Sequence, residues 1–424
     1  MRLNRISRWI ALCIFISGCG QEPSDTVIVL RVANWSGAQV EDEFARLERV
    51  FRDEFEAAHP GVRIQMEQIP GYGQYAPKLL MMHVAGSIPD VIQLDAAAGA
   101  MFIDNGVLRD LRSFIAEDPD FHLDDYFENV LEAMRRGGAL YGIPLDFSPM
   151  VMYYNKRLFD AAGVPYPQPG WNWDDFLATA EKLTVRPPGA ARPTQYGMAF
   201  ENEMPFWVLW LWTNGGDVLS PDGRRASGYF DGPRAVEAVQ FLIDLMTTRR
   251  VAPHPRDIAS AGVDLFRSEQ AAMELKGHWK LLDYRAEGLD VGVVGLPTNG
   301  VPRTTVVYAS GMSVTSRARH PRLAWEFVKH MTSASVQARR VASGLAISGN
   351  KQAAAKFAGT PIEDAFIEEI RYARRPWGAT VERYPFIETL GREMMEDLLY
   401  SDGRLPVEKA LSETAKLIDA ALAE

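Results

Sequence analysis

The chain has 424 residues, of which 47% are hydrophobic, 24% charged and 10% aromatic. This is the composition of a globular protein, and it excludes a disordered chain, collagen and a coiled coil. At about 100–200 residues per domain, the length predicts two or three packed units. The net charge is −10 and no stretch is strongly basic, so we expect neither nucleic acid nor an anionic membrane surface as a partner.

The N-terminus reads as an export signal. Three arginines precede an apolar run at residues 9–16, which is too short to span about 30 Å of hydrocarbon as a helix. The run ends in Ile-Ser-Gly-Cys, which resembles the lipobox of bacterial lipoproteins. We therefore expect a lipoprotein signal peptide at residues 1–18, a lipidated Cys19 and a tether at residues 19–26. The alternative is an ordinary signal peptide in which this cysteine occurs by chance.

The body of the chain alternates strand and helix patterns. The predicted strands are residues 27–33, 62–69, 89–95, 271–275 and 289–296, with a long extended stretch at 140–154. The predicted helices are residues 41–58, 77–85, 173–183, 233–248, 261–268, 321–333 and 407–423. This alternation predicts an α/β fold with a mainly parallel sheet covered by helices on both faces.

The sequence offers little support for metal, cofactor or nucleophilic chemistry. Its seven histidines form no His-Glu-x-x-His motif, and neither a Gly-x-Ser-x-Gly elbow nor a phosphate-binding loop is present. We therefore expect no metal, no cofactor and no catalytic residue.

Residues 71–76 fit the Gly-x-Gly-x-x-Gly/Ala pattern of dinucleotide-binding loops. The polar Glu67 and Gln68 in the preceding strand and the bulky Tyr72 in the loop count against that interpretation. We interpret the glycines as a turn that presents Tyr72 and Gln74.

Two carboxylates stand out by position. Asp95 and Asp146 each follow an apolar strand, which is where open α/β sheets place their ligand crevice. Each of them is equally compatible with a cap on the next helix.

Tryptophans are frequent, and some lie in loop-like phrases. Trp35, Trp279 and Trp377 stand beside Gly, His, Arg or Pro, whereas the three tryptophans of residues 207–212 share one helix, where core packing is the default. Flat aromatic faces beside polar side chains suit a neutral polyhydroxylated ligand, because the ring covers the C–H face of a sugar.

Several phrases together carry a family resemblance. They are residues 55–64, 88–95, 142–147, 153–156, 173–176, 214–217, 272–279, 296–297, 310–315 and 324–327. Their order and spacing behind a lipobox resemble the extracellular solute-binding proteins (family 1) of bacterial ABC importers, in the group that binds maltose and multiple sugars.

The resemblance implies a two-lobed, type II-like periplasmic-binding-protein fold with a ligand cleft between the lobes. The chain would cross the hinge three times, near residues 145–149, 288–290 and 332–336. The N-lobe would comprise residues 27–145 and 290–333, and the C-lobe residues 146–289 and 334–424.

The resemblance also implies that both lobes contribute ligand-binding residues. The first lobe would supply Trp35, Gln68, Tyr72, Asp95, Ser310 and Gly311. The other lobe or its border would supply Phe147, Trp207, Trp279, Arg375 and Trp377.

The implied function is that of a receptor without catalytic activity. Anchored outside the cytoplasmic membrane by lipid on Cys19, a monomer would capture a sugar or oligosaccharide and deliver it to ABC permease subunits backed by a cytoplasmic ATPase. One alternative is a surface enzyme acting on polysaccharide, with Asp95 and either Asp146 or Glu203 as its acid/base pair. The other is a sugar-sensing subunit.

Overall fold

The computed structural model describes residues 27–34, 43–69, 72–258, 264–344, 346–401 and 403–423. The strands are β1 (Ile28–Asn34), β2 (Val62–Gln68), β3 (Val91–Asp95), β4 (Arg135–Arg136), β5 (Ala139–Leu140), β6 (Ile143–Pro149), β7 (Val151–Asn155), β8 (Met273–Lys276), β9 (Val291–Val294), β10 (Thr305–Val314), β11 (Ile347–Ser348) and β12 (Ala373–Arg374). The α-helices are α1 (Glu43–Ala58), α2 (Tyr72–Val84), α3 (Gly99–Asp104), α4 (Arg112–Ala116), α5 (Glu128–Glu132), α6 (Lys156–Ala162), α7 (Trp173–Leu183), α8 (Met204–Thr213), α9 (Pro233–Met246), α10 (Leu281–Ala286), α11 (Pro321–Thr332), α12 (Ala334–Ala342), α13 (Lys351–Ala355), α14 (Pro361–Glu369), α15 (Tyr384–Tyr400) and α16 (Val407–Ala423). Short 3-10 helices include Ala96–Ala98, His278–Lys280 and Trp377–Thr380.

The first lobe is built on a sheet in the order β11-β6-β10-β3-β1-β2, with β12 attached to β10. Strands β1, β2 and β3 are parallel, so their carboxyl ends lie at one edge, while β10 runs antiparallel beside β3. Helix α1 covers this sheet with a single apolar face, because Leu47, Phe51 and Phe55 recur every fourth residue and are all buried.

The second lobe is built around a three-stranded antiparallel sheet in the order β8-β7-β9. One core cluster joins Met152 of β7 to the helices α7, α8, α9, α15 and α16. Helix α8 is apolar on all sides and buried from Trp207 to Thr213, as expected for a helix enclosed by others.

Strands β6 and β10 extend out of the first sheet and lead the chain between the lobes. The chain passes directly from β6 to β7 through Met150, near the predicted crossing at residues 145–149. The second passage runs from β9 to β10, C-terminal to the predicted position at residues 288–290. Residues 356–360 then connect α13, which packs on β11, to α14, which packs on β9.

These contacts differ from the division expected from the sequence in two segments. Helix α12 packs against α1, α11 and β11 of the first lobe, although residues from 334 onward were assigned to the second lobe. Strand β9 pairs with β7 in the second sheet, although residues from 290 onward were assigned to the first lobe.

A buried ionic cluster of Arg340, Glu48 and Asp146 connects three elements of the first lobe. The Arg340 side chain, on α12, lies 3.2 Å from Asp146 on β6 and 3.5 Å from Glu48 on α1. Glu48 also accepts a hydrogen bond from the side chain of Asn34, the last residue of β1. The Ser310 hydroxyl donates to Asp146 over 2.6 Å. This cluster therefore connects a strand of the hinge to the end of β1.

The predicted helix at residues 261–268 is wrong in its described part. Residues 265–269 form turns instead, and the Asp264 carboxylate accepts from the backbone N–H of Arg267. Phe266 of this segment is fully buried against Tyr153 and Tyr284. Burial of the Phe266 ring in the core explains an apolar residue at this position, and it does not require the segment to be helical.

Candidate functional site

The first-lobe side of the candidate site is the carboxyl edge of β1, β2 and β3. These strands end at Asn34, Gln68 and Asp95. The Gln68 side chain is exposed, and the Asp95 carboxylate accepts a hydrogen bond from the backbone N–H of Ala97 over 2.7 Å. Asp95 therefore caps the 3-10 helix that follows, which was one of the two roles expected for it. It also lies near the second lobe: burial raises the pKa of Tyr384, at the start of α15, and the charge of Asp95 adds to that rise.

The two lobes touch through aromatic side chains near this edge. Tyr308 extends from β10 and donates its hydroxyl to the backbone carbonyl of Pro205, at the start of α8, over 2.8 Å. The Trp279 ring lies 6.3 Å from the Tyr308 ring and is 42% exposed, which is unusual for a tryptophan. Tyr384, at the start of α15, packs against core residues of both lobes. These three rings border the cleft between the lobes.

Two acidic residues from different elements, Asp95 and Glu203, act electrostatically on Glu388 of α15. Burial raises the pKa of Glu388, on α15, to about 8, and the negative charges of Glu203 and Asp95 add to that rise. Burial likewise raises the pKa of Glu203, while Arg392 opposes that rise and Glu201 and Glu396 add to it. With a pKa of about 8, Glu388 is largely protonated at neutral pH and able to donate a hydrogen bond.

We expect ligand affinity to fall as the pH rises from about 7 to about 9, and the variant Glu388→Gln to lack this dependence. Ionisation of Glu388 removes a donor and adds a negative charge facing Asp95 and Glu203. Dissociation constants at both pH values test this. Glu393→Gln, at an exposed position of the same helix, should show the same change of dissociation constant with pH as wild type. If the dissociation constants of Glu388→Gln and wild type changed equally with pH, Glu388 would not be the group responsible.

The same carboxyl links pH to stability. In the unfolded chain Glu388 releases its proton near its ordinary pKa of 4.5, whereas the folded protein keeps it up to about 8. The unfolded state thus binds fewer protons in this window, so the contribution of Glu388 to the free energy of unfolding falls between these pH values. Chemical denaturation of wild type and Glu388→Gln across the window measures that contribution.

Four predicted ligand residues are buried in this conformation. Phe147 is 1% exposed and packs edge-on against Phe127 in the first-lobe core, so we leave it out of the cleft. The Ser310 hydroxyl is engaged with Asp146 and with the side chain of Gln93. Gly311 permits close packing of β10 on β6, since a Cβ would lie 3.0 Å from a backbone carbonyl of that strand. The Trp207 ring is fully buried in the second-lobe core.

The other predicted positions are more varied. Trp377 is 8% exposed and lies 6.3 Å from the Tyr384 ring, so it supports a residue of the cleft border. Arg375 is exposed on the segment before it. Tyr72 is the first residue of α2, whereas Trp35 and Cys19 lie outside the described residues.

The acid/base pair of the enzyme alternative is not supported by the position of Asp146. Its carboxylate accepts from Ser310 and pairs with the buried Arg340, so it is committed to the first-lobe core. The charges of Glu203 and Asp95 both act on Glu388.

Several residues at the cleft were not foreseen as ligand contacts. Tyr308 lies two residues before Ser310 on one strand, and Tyr384 and Glu388 are four residues apart on one helix face. The pairing of an aromatic residue and an acid at this helical spacing was a usable signal. The position of α15 against the other lobe was not visible in the sequence.

Gly277 leaves room for the Trp279 ring and the Ser148 hydroxyl, because a Cβ at this position would overlap with both. We expect Gly277→Ala to displace the ring and to weaken ligand binding about tenfold. In a Trp279→Ala background the same substitution should have no further effect on affinity, which a double-mutant cycle measures. Additive losses would show that Gly277 acts through something other than this ring.

Within the described ranges, no group of three or more His, Cys, Asp or Glu side chains is arranged to hold a metal ion. In the same part of the chain, no helix combines the length and the apolar character needed to cross a membrane.

Comparisons with known proteins agree with this architecture. A putative binding protein of Brucella abortus (strain 2308) is 25% identical over 285 residues, a match that covers 64% of this chain and 65% of that protein. A multiple sugar-binding protein of Streptococcus mutans is 22% identical over 319 residues, covering 68% of each chain. An ABC substrate-binding protein of Listeria monocytogenes, solved in complex with cycloalternan, superposes with a TM-score of 0.82 at 25% identity and covers 93% of this chain and 99% of that one.

The structural likeness confirms the predicted α/β, two-lobed periplasmic-binding-protein fold. The family model described as bacterial extracellular solute-binding protein matches residues 37–338, which is most of the chain. This protein therefore belongs to the family of bacterial extracellular solute-binding proteins.

Proposed function

We propose that this protein binds a neutral sugar or oligosaccharide between its lobes and delivers it to an ABC permease. The observation that carries the proposal is the group of residues at the cleft, where the exposed Trp279 packs beside the half-buried Tyr308. Burial raises the pKa of Tyr308, and the charges of Glu388 and Asp95 add to that rise. Aromatic faces cover the C–H faces of a sugar ring, and carboxyls bind its hydroxyls. The relatives' sugar ligands support this class of ligand.

The charge of the cleft favours a neutral ligand over an acidic one. Burial raises the pKa of Glu388 to about 8, and Asp95 and Glu203 raise it further. An anionic group placed among these carboxyls would meet the same unfavourable field. Sugar phosphates and sugar acids are therefore expected to bind more weakly than the parent sugars.

Export and anchoring form the second part of the proposal. The lipobox-like sequence ending at Cys19 supports lipid attachment at this residue, outside the cytoplasmic membrane. A receptor held there would capture the sugar, close its lobes about the hinge and dock on the permease. We propose no catalytic role. The ion pair between Asp146 and Arg340 counts against an acid/base pair of Asp95 with Asp146.

Thermal unfolding of the chain from residue 21 onward, with a panel of neutral and anionic saccharides, tests this function. A sugar at 100 times its dissociation constant adds about 2.7 kcal/mol to the free energy of unfolding, which raises Tm by several degrees. We expect such a shift with at least one neutral saccharide, recovered uncleaved. Cleavage products would favour the enzyme alternative, and no shift with any saccharide would contradict carbohydrate binding.

A further inference from the structure

One segment of the second lobe, residues 377–384, makes direct contact with the first lobe, and we call it the strap. Its 3-10 helix, Trp377–Thr380, packs against α3 and against the short helix that precedes α3. The strap is fixed in its own lobe by Trp377 and Val381, which are buried in the second-lobe core. The Tyr384 ring at its end packs against core residues of both lobes.

Side chains of the first lobe donate hydrogen bonds to the strap. The Asn105 side chain, at the C-terminal end of α3, donates to the Glu382 carboxylate over 2.8 Å. The Arg136 guanidinium, on β4, donates to the backbone carbonyl of Thr380 over 3.1 Å. Both donors belong to the first lobe and both acceptors belong to the strap, so the two surfaces are complementary.

The two donors are also held in place by contacts within the first lobe. Both carboxylate oxygens of Asp104 accept from Arg136, and its Oδ1 lies 2.9 Å from the arginine Nε. The Asn105 side chain also donates to the backbone carbonyl of Met101 over 2.9 Å. These contacts do not involve the second lobe, so they orient the donors before the lobes meet. Little side-chain entropy is therefore lost when the strap docks.

We propose that Asn105, Arg136 and the strap form a latch that holds a measurable fraction of the free protein in a closed conformation, with the lobes in contact. The inference rests on the proposed closure of the lobes about the hinge, and it does not depend on which ligand binds. A ligand enclosed by both lobes binds to the closed form, so a latch that favours this form also raises the apparent affinity. Asn105 and Arg136 are then positioning residues, which act on affinity through the arrangement of the lobes.

Exchanging the donor and the acceptor tests the latch. Asn105→Asp places one carboxylate against another and should open the lobes, because like charges repel. Glu382→Gln keeps a hydrogen bond from Asn105, but a neutral one that is weaker than the charged one, so it should open the lobes to a smaller extent. In the double variant the amide introduced at position 382 donates to the carboxylate introduced at position 105. Closure should therefore be recovered.

The first readout is the distance between spin labels on the two lobes of the free protein. The chain from residue 21 onward contains no cysteine, so Lys78→Cys on α2 and Lys416→Cys on α16 provide two exposed sites for labels. We expect a short-distance population in the labelled parent, depleted in Asn105→Asp and recovered on addition of Glu382→Gln. Identical distance distributions in the parent and in Asn105→Asp would overturn the latch, whichever ligand the protein binds.

Affinity supplies the second readout, measured by calorimetric titration with a saccharide that raises Tm. Asn105→Asp should weaken binding about 3- to 10-fold, and the double variant should bind within about twofold of wild type. A double variant as weak and as open as Asn105→Asp would overturn the latch, because the substitution would then act through α3 itself. A protein that binds no saccharide would contradict the proposed function, while the distances in the free protein would still decide for or against the latch.

Arg136→Met and Arg112→Met form a matched pair for the second donor. Arg112 pairs over 2.7 Å with Asp110, a residue of its own lobe, as Arg136 does with Asp104. Arg136→Met should deplete the short-distance population, because the hydrogen bond to the strap is lost, whereas Arg112→Met should leave distances and affinity unchanged. Equal distance distributions in these two variants would exclude Arg136 from the latch.

Discussion

Replacing Arg340 by methionine is expected to lower the free energy of unfolding by about 3–5 kcal/mol. The side chain is 3% exposed and pairs with Asp146 and Glu48, so its removal leaves two carboxylates in the first-lobe core without their cation. Burial already raises the pKa of Glu48, and Arg340 opposes that rise. The loss should therefore be smaller at pH 5 than at pH 8, because the variant can protonate its carboxyls. Urea unfolding at both pH values measures the difference.

Arg339→Met is the matched control for this substitution. Arg339 neighbours Arg340 on α12 and pairs with Glu54 at the surface, where both side chains are more than 40% exposed. Surface ion pairs contribute about 0–1 kcal/mol, so this variant should be nearly as stable as wild type. If both variants lost similar free energy of unfolding, the effect of Arg340→Met would come from disturbing helix α12 and not from the loss of the buried ion cluster. Adding Glu48→Gln and Asp146→Asn to Arg340→Met should recover part of the loss.

Trp279→Ala is expected to weaken sugar binding by about 2 kcal/mol or more, which is roughly a 30-fold increase in Kd. The ring is exposed in the free protein, so its removal should change the unfolding midpoint little. The effect should appear in binding because a bound sugar would cover the indole together with Tyr308. Calorimetric titration with the stabilising saccharide and thermal unfolding of the free variant give the two quantities.

Tyr400→Ala is the control, since Tyr400 is an aromatic residue of similar exposure at the far end of α15. Its replacement should leave Kd unchanged, and Trp279→Phe should retain much of the affinity. A Trp279→Ala variant that binds like wild type would place the sugar elsewhere.

Regular elements with a strong apolar period were predictable from the sequence. The prediction of a helix at residues 173–183 matches α7, and that at 407–423 matches α16, because each has an uninterrupted amphipathic pattern. The extended stretch at residues 140–154 resolves into β6 and β7, which belong to different sheets. In a continuous apolar segment, the sequence does not indicate at which residue the chain leaves one sheet and enters the other.

The assignment of α12 to a lobe depended on contacts that the sequence does not display. The apolar residues on its buried face would suit a helix in either lobe. From the sequence, Arg340 is indistinguishable from an ordinary surface arginine, because its two carboxylate partners are not apparent. These partners lie about 200 and 290 positions away in the chain. Neither periodicity nor composition reports on pairs at such distances.

The aromatic residues predicted for the candidate site differ in solvent exposure. This difference is set by tertiary packing and not by the local sequence. Trp279 and Trp377 occur in similar loop-like phrases, yet one is 42% exposed and the other 8%. Phe147 follows a motif typical of the family, and its ring points into the core. The motif does not report whether an aromatic ring in it is exposed or buried, so this distinction required the structure.

Calorimetric titration of the chain from residue 21 onward, with a stabilising neutral saccharide and with its phosphate monoester, tests most directly the claim that a neutral carbohydrate binds in the cleft. We predict a 1:1 complex of micromolar Kd for the neutral sugar, which corresponds to about 8 kcal/mol, and binding at least about tenfold weaker for the phosphate ester. Equal or tighter binding of the ester would contradict the role assigned to Asp95, Glu203 and Glu388. Binding of neither compound would contradict carbohydrate recognition itself.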